Sequence, residues 1–267
     1  MAWIDTHAHL ADRSLFNQLD DVLVRSNKAG VSQIICVAVD AETSIEAIAM
    51  AERKAGVWAS VGIHPNYAHQ ATEDDWTAIV AKTNHSRVCA LGETGLDRHW
   101  DDCPFETQQS NFSRHCQLSR ETKLPLIIHM RDCEKEMLKA LNEQAAMGPL
   151  QGVMHSFAGS TETAQQCLKI GLYISFSGML TYKKSEALRE TARTIPLDRI
   201  LVETDCPYLT PEPHRSRRPN EPAFVVHTSK CLAELLGISV RELAEKTTAN
   251  AERLFWRLAV RSLSDKL

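Results

Sequence analysis

Two histidines separated by one residue, His7 and His9, follow a short apolar run near the start of the chain. In an extended strand, side chains two residues apart point to the same face, so the two imidazoles would lie side by side. Neutral imidazole is the commonest metal ligand in proteins, and a pair at a strand end can hold one ion. A lone His-x-His pair is a weak signal, since nearby histidines are more often solvated or structural. Any further ligands must come from other parts of the chain.

Other imidazoles and carboxylates stand where further apolar runs end. They are His64, Glu93, His129, His155 and Asp205. The ends of predicted strands one, four, five, six and eight together carry four imidazoles and two carboxylates. This set is large enough to hold two ions if one carboxylate bridges them. Nitrogen and oxygen donors without thiolate fit Zn²⁺ or Mn²⁺, and Mg²⁺ where waters fill the remaining positions. Such an ion pair can clamp a phosphoryl group and lower the pKa of a bound water.

The elements that must position these residues are short apolar runs alternating with helical patterns. The predicted strands are Trp3–Ala8, Gln33–Val39, Val57–Ile63, Arg87–Gly92, Leu124–Ile128, Gly152–Met154, Leu172–Phe176 and Arg199–Glu203. Near-continuous apolar strands separated by helices predict a parallel sheet that is covered on both faces. Eight such units in 267 residues predict an α/β fold, a single-domain (β/α)8 TIM barrel. The alternative, an open doubly wound sheet, would want a glycine-rich phosphate-binding turn, which the sequence lacks.

Helical patterns fill the intervals between the strands. The predicted helices are Asp12–Ala29, Ala41–Ala55, Glu73–Thr83, Glu106–Thr122, Cys133–Ala146, Thr161–Lys169, Ser185–Thr194, Pro222–Leu236 and Val240–Leu258. The last of these is an extra C-terminal helix beyond the eight βα units. We therefore expect one barrel domain over residues 1–260 and a short tail over residues 261–267.

Composition narrows the classes of partner. A formal net charge of −4 gives no global basic field for coating nucleic acid, so a polyanionic substrate would need a local basic patch or bound metal. No apolar run is long enough to span a bilayer, and the N-terminus lacks a basic region followed by an apolar one. Eight scattered cysteines without a C-x-x-C pair are expected to be reduced thiols. We expect a cytoplasmic protein that needs no membrane and no protein partner.

Taken together, the sequence motifs resemble one known family. The matching blocks are Ile4–Leu10, Val61–Pro65, Leu91–Asp97, Leu124–Arg131, His155–Gly159, Glu203–Leu209, Arg215–Pro222 and Asn250–Phe255. The sequence resembles the TatD family of metal-dependent deoxyribonucleases, within the wider group of amidohydrolase-like barrels. The resemblance extends from about residue 2 to residue 258, with the blocks in the family's order.

The resemblance implies a set of metal ligands. One ion would be held by His7, His9, Glu93 and Asp205, and a second by Glu93, His129 and His155, with Glu93 as the bridge. Asp205 would also orient or deprotonate the attacking water.

Two further residues, His64 and Glu203, have roles that the resemblance leaves more open. His64 matches the family histidine that contacts the scissile phosphate, although a simple turn residue before Pro65 is the alternative. Glu203 lies two residues before Asp205, so it faces the same side of its strand, one layer deeper. It can hydrogen-bond a metal ligand, act on the substrate as a catalytic residue, or be a buried structural carboxylate.

A basic loop follows the last of these strands and contains Arg215, Arg217 and Arg218. The planar guanidinium group binds phosphate oxygens through two hydrogen bonds, so the cluster is a candidate substrate-binding site. A solvated loop is an equally open interpretation. Lys183 and Lys184, in the loop after the seventh strand, could add phosphate contacts, although solvation is the favoured interpretation there.

The chain departs from the family pattern in two loops. Arg98 and His99 stand where aromatic residues are usual, so that only Trp100 keeps the stacking chemistry that a nucleobase would use. In the basic loop, Ser216 replaces a frequent glycine and Pro219 precedes Asn220. Both departures bear on substrate preference and leave the metal ligands untouched.

These inferences predict a deoxyribonuclease that uses two divalent ions, Mg²⁺, Mn²⁺ or Zn²⁺, to hydrolyse phosphodiester (ester) bonds of DNA. From the resemblance, we expect a 3′–5′ exonuclease acting on single-stranded ends. One alternative is an amidohydrolase-type enzyme that hydrolyses a small ester, amide or lactone at the same metal site. Another is a non-catalytic barrel stabilised by metal, which fits poorly with ligands at the carboxyl ends of strands.

Overall fold

Eight parallel strands form one sheet in chain order within residues 2–259, the part of the chain that the computed structural model describes. They are β1 (Trp3–Ala8), β2 (Val31–Cys36), β3 (Val57–Val61), β4 (Val88–Asp97), β5 (Leu126–Arg131), β6 (Gly152–Met154), β7 (Tyr173–Phe176) and β8 (Ile200–Val202). The chain after β8 returns to β1, where the Asp205 N–H donates to the His7 carbonyl at 2.9 Å and the His9 N–H donates to the Cys206 carbonyl at 2.8 Å. The predicted (β/α)8 barrel is therefore confirmed.

Helices surround the barrel between the strands. They are α1 (Arg13–Phe16), α2 (Leu19–Lys28), α3 (Ala41–Arg53), α4 (Glu73–Lys82), α5 (Phe105–Thr122), α6 (Glu134–Ala146), α7 (Thr161–Ile170), α8 (Glu186–Arg193), α9 (Val225–Leu236) and α10 (Val240–Leu254). Side-chain caps fix several starts: Asp40 and Thr72 each form a reciprocal capping box at the beginning of α3 and α4. Gly171 and Gly237 end α7 and α9 in the left-handed conformation that glycine adopts without strain.

Several predicted boundaries were wrong. The helix predicted over Asp12–Ala29 is two helices, because Gln18 takes a non-helical conformation (φ −129°, ψ 26°) between them. The segment Pro222–Phe224 is a 3-10 turn before α9, and α10 ends at Leu254 rather than Leu258. The predicted tail at residues 261–267 lies outside the described residues.

Strand β4 is longer than predicted and continues past Gly92 to Asp97. Pairing with β5 extends it: Thr94 pairs with Ile128, and Asp97 pairs with Arg131. A Cβ atom at Gly95 would lie 2.0 Å from the carbonyl oxygen of β5's His129, so the close approach of the two strands requires glycine. Glu93 and His129 consequently lie inside their strands, whereas the sequence placed them just past the strand ends.

Helix α10 and the residues after it cover one end of the barrel. Ala251, Leu254, Phe255 and Leu258 pack against interior side chains of the strands, among them Ile4, Ile35, Trp58, Ile127, Val153 and Leu201. These apolar residues fill the amino-terminal part of the barrel interior, and polar side chains are gathered toward the carboxyl ends of the strands. In this fold class the carboxyl end is where binding and catalytic groups project.

Within residues 2–259, no single helix is both long enough and apolar enough to cross a membrane. The adjacent segments Pro222–Leu236 and Val240–Leu254 pass the same test of length and composition only as a pair, and a bend of 110° separates them.

Candidate metal centre

The carboxylate of Glu93 lies between two pairs of imidazoles. Its Oε1 atom is 2.8 Å from Nδ1 of His129 and 2.8 Å from Nε2 of His155. Its Oε2 atom is 3.4 Å from Nε2 of His7 and 3.6 Å from Nε2 of His9. Each oxygen of one buried carboxylate therefore faces its own pair of histidines, which is the arrangement that a carboxylate bridging two ions requires.

Asp205 completes the group on the side of the first histidine pair. Its Oδ1 atom is 3.5 Å from Nε2 of His7 and 3.4 Å from Nε2 of His9. The residue has a left-handed backbone (φ 54°) just after β8, where its N–H is bonded to β1. The structure thus brings all of the sequence-predicted ligands to one place at the carboxyl end of the barrel.

Hydrogen bonds on the far side of two rings set which nitrogen faces the centre. Nδ1 of His9 lies 3.2 Å from the carbonyl oxygen of Val37, which can only accept, so the neutral ring keeps its lone pair on Nε2. Nε2 of His129 lies 3.0 Å from Asp97 Oδ2, which leaves the lone pair of this ring on Nδ1. The free nitrogen of His9 therefore faces Asp205 and Glu93, and that of His129 faces Glu93.

The donor set fits divalent cations. Nε2 of His7 and Nε2 of His9 are 3.2 Å apart, and Nδ1 of His129 and Nε2 of His155 are also 3.2 Å apart. Two facing imidazole lone pairs at this distance repel unless a proton or a cation lies between them. Imidazole nitrogen with carboxylate oxygen is the donor combination that Zn²⁺ and Mn²⁺ accept.

The electrostatics of the centre keep both carboxylates ionised. Burial by itself would raise the pKa of Glu93, but attraction to His155, His64 and His7 holds it well below its ordinary value. Burial likewise opposes ionisation of Asp205, and its hydrogen bond with His9 leads the interactions that lower its pKa. Ionised carboxylates are the form that binds a metal ion.

Asp97 is a functional candidate that the sequence reasoning missed. Besides accepting from His129, its Oδ2 accepts from Nδ2 of Asn66 at 3.2 Å, and its Oδ1 accepts from the N–H groups of His99 and Trp100 at 2.7 and 3.2 Å. Burial opposes its ionisation, yet the hydrogen bond and charge of His129 lower the pKa of Asp97 to about 2. The sequence does contain an indication of this role, because Asp97 lies four residues after Glu93 and so shares its face if the strand continues that far. The strand was predicted to end at Gly92, so this relationship was not considered.

His64 presents a hydrogen-bond donor to the same centre. Its Nδ1 accepts the N–H of Asn66 at 3.2 Å, so the neutral ring carries its proton on Nε2, which lies 3.5 Å from Oε1 of Glu93. Burial lowers the pKa of His64. A protonated Nε2 has no lone pair to give, so the geometry favours a donor to an anion over a metal ligand.

The backbone before His64 is held from α5. Nδ2 of Asn111 donates to the carbonyl oxygen of Ile63 at 2.8 Å, and Nε2 of His115 accepts the N–H of Ile63 at 3.1 Å. Asn111 and His115 lie four residues apart on one face of the helix, so both reach the same residue. They satisfy both backbone groups of Ile63 and thereby fix where His64 begins its turn.

Glu203 lies behind His155, fully buried. Its Oε1 accepts the N–H of Ser156 at 2.6 Å and lies 3.5 Å from Nδ1 of His155. This position favours a role for Glu203 in orienting His155, because its carboxylate contacts the ring nitrogen that faces away from Glu93. A direct catalytic action of Glu203 on the substrate stays a prediction.

The arginines of the basic loop are exposed but do not converge on one point. The guanidinium of Arg215 lies over the ring of Tyr182 at 4.0 Å, and that of Arg217 lies 5.4 Å from the ring of Phe224. Arg218 turns back into its own loop and donates to the carbonyl oxygens of Arg215 and Arg217 at 3.3 Å. Phosphate binding by these residues stays a prediction, and Arg218 is the member whose guanidinium is hydrogen-bonded within its own loop.

Trp100 stands at the rim with half of its surface exposed, as a stacking residue would need. The two departures beside it are engaged elsewhere. Arg98 pairs with Glu136 at 2.9 Å, and His99 pairs with Asp132 at 3.0 Å. Both pairs are exposed.

The chain is similar to a known protein family over most of its length. The family model described as TatD related DNase matches residues 4–256. The "uncharacterized metal-dependent hydrolase YabD" of Bacillus subtilis is 40% identical over 251 residues, covering 94% of this chain and 98% of that protein. The "3′-5′ ssDNA/RNA exonuclease TatD" of Citrobacter rodentium is 32% identical, covering 94% and 97%. The crystal structure of YJJV, a TatD homolog from Escherichia coli K12, superposes with a TM-score of 0.89 at 29% identity, covering 95% and 97%.

Proposed function

This chain belongs to the TatD-related DNase family, whose members include metal-dependent hydrolases, and we propose that it hydrolyses phosphodiester bonds of DNA. The proposed reaction is the removal of nucleotides from the 3′ ends of single strands. The observation that carries the proposal is the carboxylate of Glu93, whose two oxygens face separate histidine pairs. Two-metal sites of this kind serve phosphoryl transfer. The name of the Citrobacter relative, an exonuclease for single-stranded DNA and RNA, supports the choice of substrate.

In this proposal the residues on each side of Glu93 would hold one ion. His7, His9, Asp205 and Glu93 would hold the first ion, and Glu93, His129 and His155 would hold the second. When bound, divalent ions would neutralise charge on the phosphoryl group and lower the pKa of the water nucleophile. The hydrogen bonds from His9 to Val37 and from His129 to Asp97 hold these rings in the orientation that binding needs.

Asp205 is proposed to orient the water and accept its proton. Of the two carboxylates, it is the one that water reaches, with 13% of its side chain exposed against 4% for Glu93. Its depressed pKa keeps it ionised, and therefore able to accept a hydrogen bond from the nucleophile. The proton passes from the water to the carboxylate as the water oxygen attacks phosphorus. The bond from phosphorus to the 3′ oxygen of the preceding nucleotide breaks, and that oxygen leaves as a hydroxyl after taking a proton from solvent.

His64 is proposed to donate its Nε2 proton in a hydrogen bond to a phosphate oxygen. The Asn66 N–H bonded to Nδ1 fixes the tautomer with the donor inward, so no rearrangement is needed when substrate arrives. A donor placed in advance where charge develops stabilises the transition state more than the ground state. Arg215 and Arg217 are proposed to contact phosphates further along the strand, together with stacking on Trp100.

The test is metal-dependent cleavage by purified protein. Protein stripped with a chelator is reloaded with Mg²⁺, Mn²⁺ or Zn²⁺ and offered 3′- and 5′-labelled DNA and RNA, p-nitrophenyl esters, and a lactone. We expect a 5′-labelled single strand to shorten progressively from its 3′ end only after an ion is added. Turnover confined to the esters or the lactone would instead assign the amidohydrolase-type alternative, and internal cuts would exclude the exonuclease mode.

A further inference from the structure

Two exposed tyrosines, Tyr67 and Tyr208, stand beside the metal centre with no part in the proposed chemistry. The ring of Tyr67 lies 5.9 Å from the ring of His64, and the ring of Tyr208 lies 6.0 Å from the ring of His9, both edge to face. His64 and His9 each contact Glu93, so both tyrosines are one ring away from the residues at the centre. They are 42% and 55% exposed, which leaves ring surface free.

Both rings are carried on backbone that is fixed by hydrogen bonds. Tyr67 ends the short 3-10 turn that begins at Pro65, and its N–H donates to the carbonyl of His64 at 3.0 Å. The N–H of Tyr208 donates to the carbonyl of Asp205 at 2.9 Å, and its own carbonyl accepts from the side chain of buried Asn220. The backbone of each tyrosine is thus hydrogen-bonded to a residue of the centre.

Exposed aromatic rings at these positions have a clear chemical partner. Every nucleobase offers a π face, and stacking on aromatic side chains is how proteins hold unpaired bases without reading their sequence. Bases within a duplex are already stacked on one another and cannot offer that face. Rings at the mouth of a phosphodiesterase centre would therefore favour a single strand over a duplex.

We propose that Tyr67 and Tyr208 form a binding site for unpaired nucleobases, stacking on the bases adjoining the scissile phosphate. The inference rests on the proposed function, because it assigns the nucleic-acid strand that the same centre would cleave. It adds two residues, from the loops after β3 and β8, that the sequence reasoning did not single out. Their contact is with the π face of the base, so the phenol hydroxyl is not required.

The experiment compares a short oligothymidylate with the same strand carrying tetrahydrofuran abasic residues at its 3′ end. The phosphates are the same in both strands. The ratio of the two affinities, and the ratio of the two kcat/KM values, therefore measures the contribution of the bases alone. Affinity is measured by fluorescence anisotropy with Ca²⁺ present, after checking that the strand stays intact, and kcat/KM with the activating ion. The variants are Tyr67→Ala, Tyr208→Ala, Tyr67→Phe and Tyr208→Phe.

Wild-type protein is expected to favour the base-bearing strand, and each alanine variant should reduce that preference by about 5- to 150-fold, the range for one lost stacking contact. The phenylalanine variants should keep it. The matched control is Trp256→Ala, an exposed aromatic whose indole N–H donates to the Lys123 carbonyl near the opposite end of the barrel. This variant should behave as wild type.

Alanine variants with an undiminished preference, or phenylalanine variants as impaired as alanine variants, would overturn the inference. Failure of the proposed function has a different signature, in which the anisotropy pattern appears as expected but neither strand is cleaved with any ion. The stacking site would then stand without the nuclease.

Discussion

Asp97 Oδ2 lies 3.0 Å from Nε2 of His129, while the other nitrogen of the same ring lies 2.8 Å from Glu93. The imidazole is therefore held between two carboxylates, one outside the centre and one within it. Because the outer carboxylate accepts a hydrogen bond from Nε2, the neutral ring keeps its proton there and leaves the lone pair of Nδ1 for a metal ion. The same Asp97 also bonds Asn66, whose N–H sets the tautomer of His64, so one carboxylate organises both a candidate ligand and the candidate phosphate contact.

The first prediction concerns Asp97→Asn. An amide has no charge to hold the His129 proton, and it can turn an N–H toward the ring, so metal affinity should fall by about 10- to 100-fold. Titration of the metal-depleted protein against a chelating indicator measures this directly, without any activity assay. Asp132→Asn is the matched control, since it makes the same change in the exposed pair with His99. Equal metal affinity in both variants would remove Asp97 from the role assigned to it.

The second prediction concerns Glu93→Gln, which keeps the size of the side chain and removes its charge. Only one amide oxygen remains to bridge two ions, so the metal content should fall below two per chain and kcat/KM on single-stranded DNA by at least about 100- to 1,000-fold. Elemental analysis of the dialysed protein gives the stoichiometry. Glu52→Gln alters a comparable glutamate–histidine pair on the outer surface and should keep both values. A Glu93→Gln protein with a full metal complement would contradict the bridge.

The third prediction concerns stability. Metal-depleted protein buries imidazole and carboxylate groups whose facing atoms lack a cation, and an ion that binds only the folded state shifts unfolding by mass action. At about 100 times its Kd, one ion adds about 2.7 kcal/mol. In a chain of this size that corresponds to a rise in Tm on the order of 5–10 °C. Calorimetric scans with and without ion should show this rise, and added chelator should reverse it. A Tm independent of metal would exclude binding at the centre.

The fold was more predictable than its boundaries. Strand β1 was placed correctly because its apolar residues run into polar ones, and the eightfold alternation of strand and helix leaves little choice of architecture. Strand β4 was predicted to end at Gly92, because the apolar run stops before Glu93. Only the pairing with β5, which no local pattern contains, shows that the strand continues to Asp97.

The candidate site likewise has a part that could be predicted from the sequence and a part that could not. Ligand residues could be found because barrel strands deliver their ends to one place, so position along the chain implies position in space. For loop residues, position along the chain does not imply position in space in this way. Arg218 reads as a phosphate ligand, but it bonds the carbonyl groups of its own loop. Tyr208 lies within the matching block Glu203–Leu209, but only the structure shows that its ring is exposed beside His9.

The fourth prediction concerns pH and His115. Burial lowers the pKa of this histidine from 6.5 to about 4, and the neutral ring accepts the Ile63 N–H inside the protein. The unfolded chain therefore takes up a proton first as pH falls. The stabilising contribution is complete above about pH 6.5 and is lost progressively toward pH 4, amounting to about 3 kcal/mol.

Histidines ordinarily titrate in this pH window, so the contribution of His115 is measured as the difference in the free energy of unfolding between wild type and a His115 variant. Urea unfolding of wild type and His115→Gln at pH 7.5, 6, 5 and 4 should show curves that converge as pH falls. Parallel curves would mean that His115 is protonated as readily in the folded state as in the unfolded chain.

The fifth prediction separates two roles for His64. The Asn66 N–H occupies Nδ1, so Nε2 carries the proton and has no lone pair for a metal, although it lies only 3.5 Å from Glu93. His64→Ala should therefore lower kcat/KM on single-stranded DNA by about 100- to 1,000-fold, the cost of losing one placed donor, while metal affinity stays at the wild-type value. Exposed His69 supplies the control His69→Ala, expected to change neither quantity. A tenfold or greater loss of metal affinity in His64→Ala would make His64 a ligand and would require the opposite tautomer from the one that its turn imposes.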